Sequence, residues 1–132
     1  MMARKVWTKA RKAAAARVLK AARTRLGLSH FDFIVDFHED VGDETPEGLR
    51  TVAEVRVSEN YVTAAFDLYA DFVNADEGEQ YKHAIHEWMH VVVAPLERWA
   101  VRAVPPYQHE DYERDLERVV ESLAKIVAYG SS

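Results

Sequence analysis

The chain has 132 residues, which suits one hydrophobic core and a single domain over residues 1–132. Its 48% hydrophobic and 30% charged content is ordinary for a globular protein, and no apolar run reaches the roughly 18 residues of a membrane span. It contains no cysteine, so disulfides and thiolate ligands are excluded and any transition metal must be held by His, Asp and Glu.

The net charge of −5 conceals a division. Nine of the 17 basic residues (Arg4, Lys5, Lys9, Arg11, Lys12, Arg17, Lys20, Arg23 and Arg25) precede position 26 with no acid among them, which leaves the rest of the chain strongly acidic. Such a split marks either an arm for nucleic acid or anionic membrane, or a basic helix resting against its own acidic body; the second is the expectation, with nucleic acid as the alternative partner. The basic start lacks an apolar segment and cleavage site of the secretory kind, so a cytoplasmic setting is expected.

Residues 3–26 are rich in Ala, Lys, Arg and Leu and free of internal Gly and Pro, which predicts a long helix ending at Gly27. Trp7, Ala10, Ala14, Val18 and Ala21 recur at helical spacing, with Leu19, Ala22 and Leu26 widening the stripe. The period then changes to two: Phe31, Phe33, Val35 and Phe37 mark a strand over 31–38. Residues 38–48 form a turn with Gly42, Pro46 and Gly48. Its acids (Glu39, Asp40, Asp43, Glu44, Glu47) lack the spacing of a calcium loop and read as solvated.

Two further strands are expected at 49–57 and 61–67, joined by a turn at Ser58-Glu59-Asn60. Three strands in succession predict an antiparallel meander with the last at an edge. A loop at 74–78 leads to a helix over 79–94, which Pro95 ends or kinks. A short helical piece follows at 96–104. The last helix, 109–129, carries Leu116, Val119, Val120, Leu123, Ala124, Ile126 and Val127 on its apolar face, and 130–132 form a frayed tail. Trp88, Met89 and Trp99 are assigned to the core on size and hydrophobicity.

The chemistry concentrates in His86-Glu87-Trp88-Met89-His90. On a helix, His86 and His90 stand one turn apart on one face, placed to share a metal, and Glu87 adjoins the first of them. Zinc with three protein ligands lowers the pKa of its bound water towards about 7, and a neighbouring carboxylate can then serve as general base. His83, one turn earlier, is taken as a surface or supporting group. For the third ligand, the glycine and final histidine of the longer HExxHxxGxxH pattern are replaced by Val93 and Leu96. The last helix instead offers Glu113, Glu117 and Glu121 at successive i, i+4 positions, where the competing reading is an acidic face paired with Arg114 and Arg118.

The stretch 81–128 resembles the small gluzincins, namely the minigluzincins and ImmA/IrrE-type peptidases, which pair HExxH on one helix with a Glu on a later one. The run Glu117-Arg118-Val119-Val120-Glu121-Ser122-Leu123-Ala124 looks like that second helix. The resemblance implies Glu117 as third ligand, with Glu121 as runner-up. The more distant SprT-like proteases use a third histidine, for which His109 would stand. The likeness further implies that an edge strand borders the cleft, for which residues 61–67 are the expectation. An oxyanion donor is sought among Tyr107, His109 and Tyr112.

The expectation is therefore an α+β, zincin-like chain: a long N-terminal helix, a three-stranded antiparallel sheet, an HExxH helix and a C-terminal helix supplying Glu. The expected activity is zinc-dependent hydrolysis of peptide bonds in a peptide or protein substrate, with Glu87 as base and His86, His90 and Glu117 as zinc ligands. One rival is a non-catalytic binding module that contacts nucleic acid or a partner protein through its basic helix. A second keeps the metal in a latent or regulatory component of phage or mobile-element type.

Overall fold

The structure, a computed structural model, describes residues 4–45 and 48–129. The expected helix start at Ala3, the turn residues Pro46 and Glu47, and the tail 130–132 lie outside the described residues.

Helix α1 spans Lys9–Arg25. It starts later than the composition suggests because the Thr8 hydroxyl accepts from Arg11 N at 3.1 Å and caps it. Trp7 thus precedes the helix, buried against Phe37 and Phe72 and donating from Nε1 to His38 O at 3.0 Å. The face turned inward is Ala15, Val18, Leu19 and Ala22, while Ala10 and Ala21 of the expected stripe are exposed. The helix closes as predicted at Gly27, whose φ of 69° lets Gly27 N and Leu28 N reach back to Thr24 O and Arg23 O.

Three strands follow, β1 (Asp32–Phe37), β2 (Ala53–Val57) and β3 (Thr63–Leu68), but not as a meander. The order is β1-β3-β2: β1 runs parallel to β3, and β2 antiparallel to it. The sheet is therefore mixed, and β3, expected at an edge, is central. The burial of its inward residues explains the choice: Ala64, Phe66 and Leu68 are fully covered, whereas Asp32 and Asp36 on β1 and Glu54 and Arg56 on β2 bring charge to the two edges. Phe33, Val35, Phe37, Val55 and Val57 join the same core from the edge strands.

The long connection 38–52 lets β2 lie beyond β3. It is pinned by Thr51 N donating to Asp43 O and by Arg50, which grips Asp71 through two nitrogens at 2.8 and 2.9 Å. Gly42 is buried against the Thr51 backbone, where a Cβ would collide. A one-turn helix α2 (Ala70–Val73), which the sequence pattern did not indicate, brings Phe72 and Val73 into the core.

Helix α3 covers Glu77–Ala103, capped by Asp76, and passes through Pro95 without ending. Pro95 supplies no N–H to the turn before it. The rod is held on both sides of that gap, by buried Trp88, Val91 and Ala94 before or beside it and by Arg98 beyond it. Trp88 and Met89 are core residues as expected. Trp99 is not: it is 72% exposed, because it lies on the far half of α3. After a 3-10 turn at Pro106–Gln108, helix α4 (His109–Tyr129) packs against α3 and buries Val120 and Ala124.

Candidate metal centre

The local sequence sets the frame of the site. On α3, Ala84, Ile85, Trp88, Met89 and Val91 face inward and fix the rotation of the helix. His86, Glu87 and His90 are carried to its partly covered flank. The His86 and His90 rings lie 5.1 Å apart, as residues one turn apart should. On α4, burial of Val120 and Ala124 turns Glu117 and Glu121 toward the same flank.

There the carboxylates divide their work. Glu117 spans both imidazoles, with Oε1 at 2.6 Å from His86 Nε2 and Oε2 at 3.1 Å from His90 Nε2. Glu121 lies 2.8 Å from the other ring nitrogen of His86, Nδ1. The two glutamates that the sequence leaves in competition thus occupy different positions: Glu117 with the pair of facing nitrogens, Glu121 behind one ring. The competing reading, pairing of these acids with Arg114 and Arg118, is not found among the described residues; Arg114 engages Asp111.

Donor atoms of His86, His90 and Glu117 all lie within 4.8 Å of one another, and no other group among the described residues is arranged to hold a metal. Zinc bonds of about 2.0–2.1 Å place tetrahedral donors about 3.3 Å apart, so a group drawn within 4.8 Å could hold such an ion. A carboxylate on the remote nitrogen of a metal-binding histidine is the usual means of fixing its ring and tautomer, and Glu121 meets that description. His83 stands outside the group as expected, and burial lowers its pKa. His109 is turned to Val104 O at 2.8 Å.

Electrostatics follow from these contacts. Burial opposes charge on His86, but the Glu117 hydrogen bond and the charges of Glu87, Glu117 and Glu121 outweigh it and lift the imidazole to about 9. His90 is raised in the same way against burial, chiefly by Glu117. Hydrogen bonds from His86 and His90 hold Glu117 well below the usual carboxylate range. Glu87, whose side chain is only 13% exposed, is pushed by burial up to about 7 against the pull of His90 and His86.

A prediction follows for metal uptake. Below about pH 9 the His86 nitrogen facing Glu117 carries a proton that a metal must displace. Zinc affinity should therefore rise with pH, about tenfold per unit between roughly pH 7 and 9 from this group alone, and level off above. Competition against a chromophoric chelator at three pH values measures the slope; a flat profile would contradict the assignment of His86.

Beside the site runs a cleft of about 580 Å³ between β2 and the second half of α3, lined by Glu54, Val55, Val57, Glu87, His90, Ala94, Glu97, Arg98, Val101 and Arg102. The strand bordering it is thus β2 and not residues 61–67. Tyr107, Tyr112 and His109, sought as oxyanion donors, do not line it, and Tyr107 is 82% exposed. Sequence reasoning passed over Glu54, which lines the cleft, and Tyr69, whose hydroxyl donates to Glu54 Oε1 at 3.0 Å. The charge of Glu54 on a strand whose alternate residues are apolar was the available signal.

Helix α1 lies against α3, as expected of a basic helix resting on the body, but without charge pairing. Lys9, Arg17, Lys20 and Arg25 are exposed, and no ion pair joins α1 to an acid among the described residues. Lys12 and Arg23 instead lie over the rings of Phe37 and Phe33. Comparison with protein-family models, with curated proteins and with solved structures finds no match to this chain.

Proposed function

We propose that the chain is a zinc-dependent peptidase of the gluzincin type, with His86, His90 and Glu117 as ligands and Glu87 as general base. The observation that carries this reading is the convergence of one α4 carboxylate with two α3 imidazoles, directly beside a cleft into which Glu87 also faces. Zinc held there supplies a Lewis acid and lowers the pKa of water to about 7. Glu87 takes a proton from the attacking water and returns it to the leaving amine. Burial raises its pKa, which favours that exchange near neutral pH. Glu121 keeps the His86 ring oriented. The open edge of β2 offers backbone groups to which an extended peptide can pair.

Purified protein is expected to hold one zinc per chain, and His90→Ala to lose it on dialysis. Elemental analysis beside protein concentration decides this; a wild-type chain that takes up no zinc, or a variant that keeps it, overturns the reading.

A second reading rests on the unneutralised bases of α1. Its outward face carries Lys9, Arg17 and Lys20 among Ala13, Ala16 and Ala21, with no large apolar residue to enter a bilayer, which favours nucleic-acid phosphates over membrane. If about four phosphates are neutralised, affinity for a short DNA duplex should fall about 100-fold between roughly 50 and 200 mM salt. Fluorescence anisotropy measures this, and an absence of binding at the lower salt removes the reading.

A further inference from the structure

The register of β2 determines what a bound peptide meets. Tyr69 N donates to Val52 O and Ser58 N to Thr63 O at the two ends of the β2–β3 ladder. Antiparallel alternation then turns residues 52, 54, 56 and 58 toward β3, and Ala53, Val55 and Val57 present their N–H and C=O groups outward. The Val57 carbonyl is already taken by Arg98 at 3.0 Å, whose guanidinium also reaches Ser58 O and Glu59 O and lies over Tyr61. The open length of edge is therefore Ala53–Val55, which includes the Glu54 and Val55 that line the cleft with Glu87 and His90.

A peptide laid antiparallel on that length bonds to Ala53 and Val55 and sets one residue directly opposite Glu54. This is a non-hydrogen-bonded pair, the kind in which side chains come closest. Glu54 is prepared for such a neighbour. The Tyr69 hydroxyl holds its carboxylate at 3.0 Å, and the Tyr69 ring is stacked on His38 at 4.9 Å, itself 2.9 Å from Asp67. No cation pairs with Glu54 among the described residues: Arg56 is turned to Asp67 and Asp36, Arg98 to the β2–β3 turn, and Arg102 to the Trp99 ring. Glu87 places a second acidic group on the same stretch of cleft.

We infer that Glu54 is a specificity-determining residue that selects peptides carrying a cationic group opposite it, with Tyr69 as its positioning residue. The inference rests on the peptidase reading of this cleft. The cation is a Lys or Arg side chain or the free amino group of a peptide N-terminus, which share this chemistry.

The test uses fluorescently labelled decapeptides in which one Lys, Glu or norleucine is moved through each position, with the N-terminus free or acetylated. Binding is followed by anisotropy to the zinc-loaded chain carrying Glu87→Gln, and cleavage is followed with wild type. Lys at one position, or the free N-terminus, should tighten binding about five- to tenfold over its neutral counterpart. Glu54→Gln should abolish that difference without weakening the neutral peptide, Glu54→Lys should transfer the preference to Glu, and Tyr69→Phe should reduce it. Acetylation removes the preference only if the terminus is the cation. Equal binding of charged and neutral peptides, equal weakening of both by Glu54→Gln, or no binding of any peptide overturns the inference. Charge-selective binding without cleavage by wild type leaves Glu54 in place and removes the hydrolase; cleavage indifferent to charge does the reverse.

Discussion

Replacing Glu87 with Gln is expected to leave one zinc per chain while lowering peptide hydrolysis by at least about 10²–10⁴-fold. The amide is nearly the same size, so the flank of α3 that carries His86 and His90 should keep its rotation, but it cannot take up the proton that the attacking water must lose. Wild-type activity should also report this group's titration. Burial raises the Glu87 pKa to about 7 in the metal-free chain and a bound zinc would lower it, so kcat/KM should fall with acid at a pH below about 7, the carboxylate being the working form. Parallel measurement of zinc content and kcat/KM separates the roles: full zinc with near wild-type turnover would show that another group is the base.

The second large effect lies in the core. Trp88, between His86 and His90 in sequence, is fully buried, with ring centroids 4.8 Å from Phe66, 5.9 Å from Phe33 and 6.3 Å from Phe31. Its indole N–H donates to Leu19 O at 2.9 Å, tying α3 to α1. Trp88→Ala removes this packing and leaves a cavity, at a cost of about 3–5 kcal/mol out of a typical total of roughly 5–15. Trp88→Phe keeps most of the apolar area and loses the hydrogen bond, at a cost of about 1–3 kcal/mol. Urea unfolding of the zinc-free chain should give midpoints in the order wild type, Phe, Ala. An Ala variant as stable as wild type would contradict this account of the core.

How far the sequence discloses all this depends on the kind of information each feature needs. The alternation in 31–37 and 61–67 locates strands because a half-buried strand must repeat every two residues. That repeat says nothing about which strand neighbours which. The central place of β3 follows from burial on Ala64, Phe66 and Leu68 and from charge on Glu54, Arg56, Asp32 and Asp36, a contrast that is legible only when strands are ranked by charge as well as by period. The two histidines and Glu87 were readable because helical spacing is local. Glu117 and Glu121 are one turn apart on a single face, so only the placement of α4 against α3 separates them. Trp99 misleads because size predicts burial only where a second layer is present. Glu54 acquires its place only once β2 is known to be an edge.

The length of α3 has a mechanical consequence. Twenty-seven residues make a rod of about 40 Å. His86, Glu87 and His90 stand on one half of it, and the wall formed by Ala94, Glu97 and Val101 on the other. Spacing along that rod follows helical geometry, interrupted by the missing N–H of Pro95, so His86, Glu87 and His90 keep a nearly constant distance from this wall. Adjustment to guests of different bulk therefore falls to the opposite jaw, the short strap Ala53–Val57.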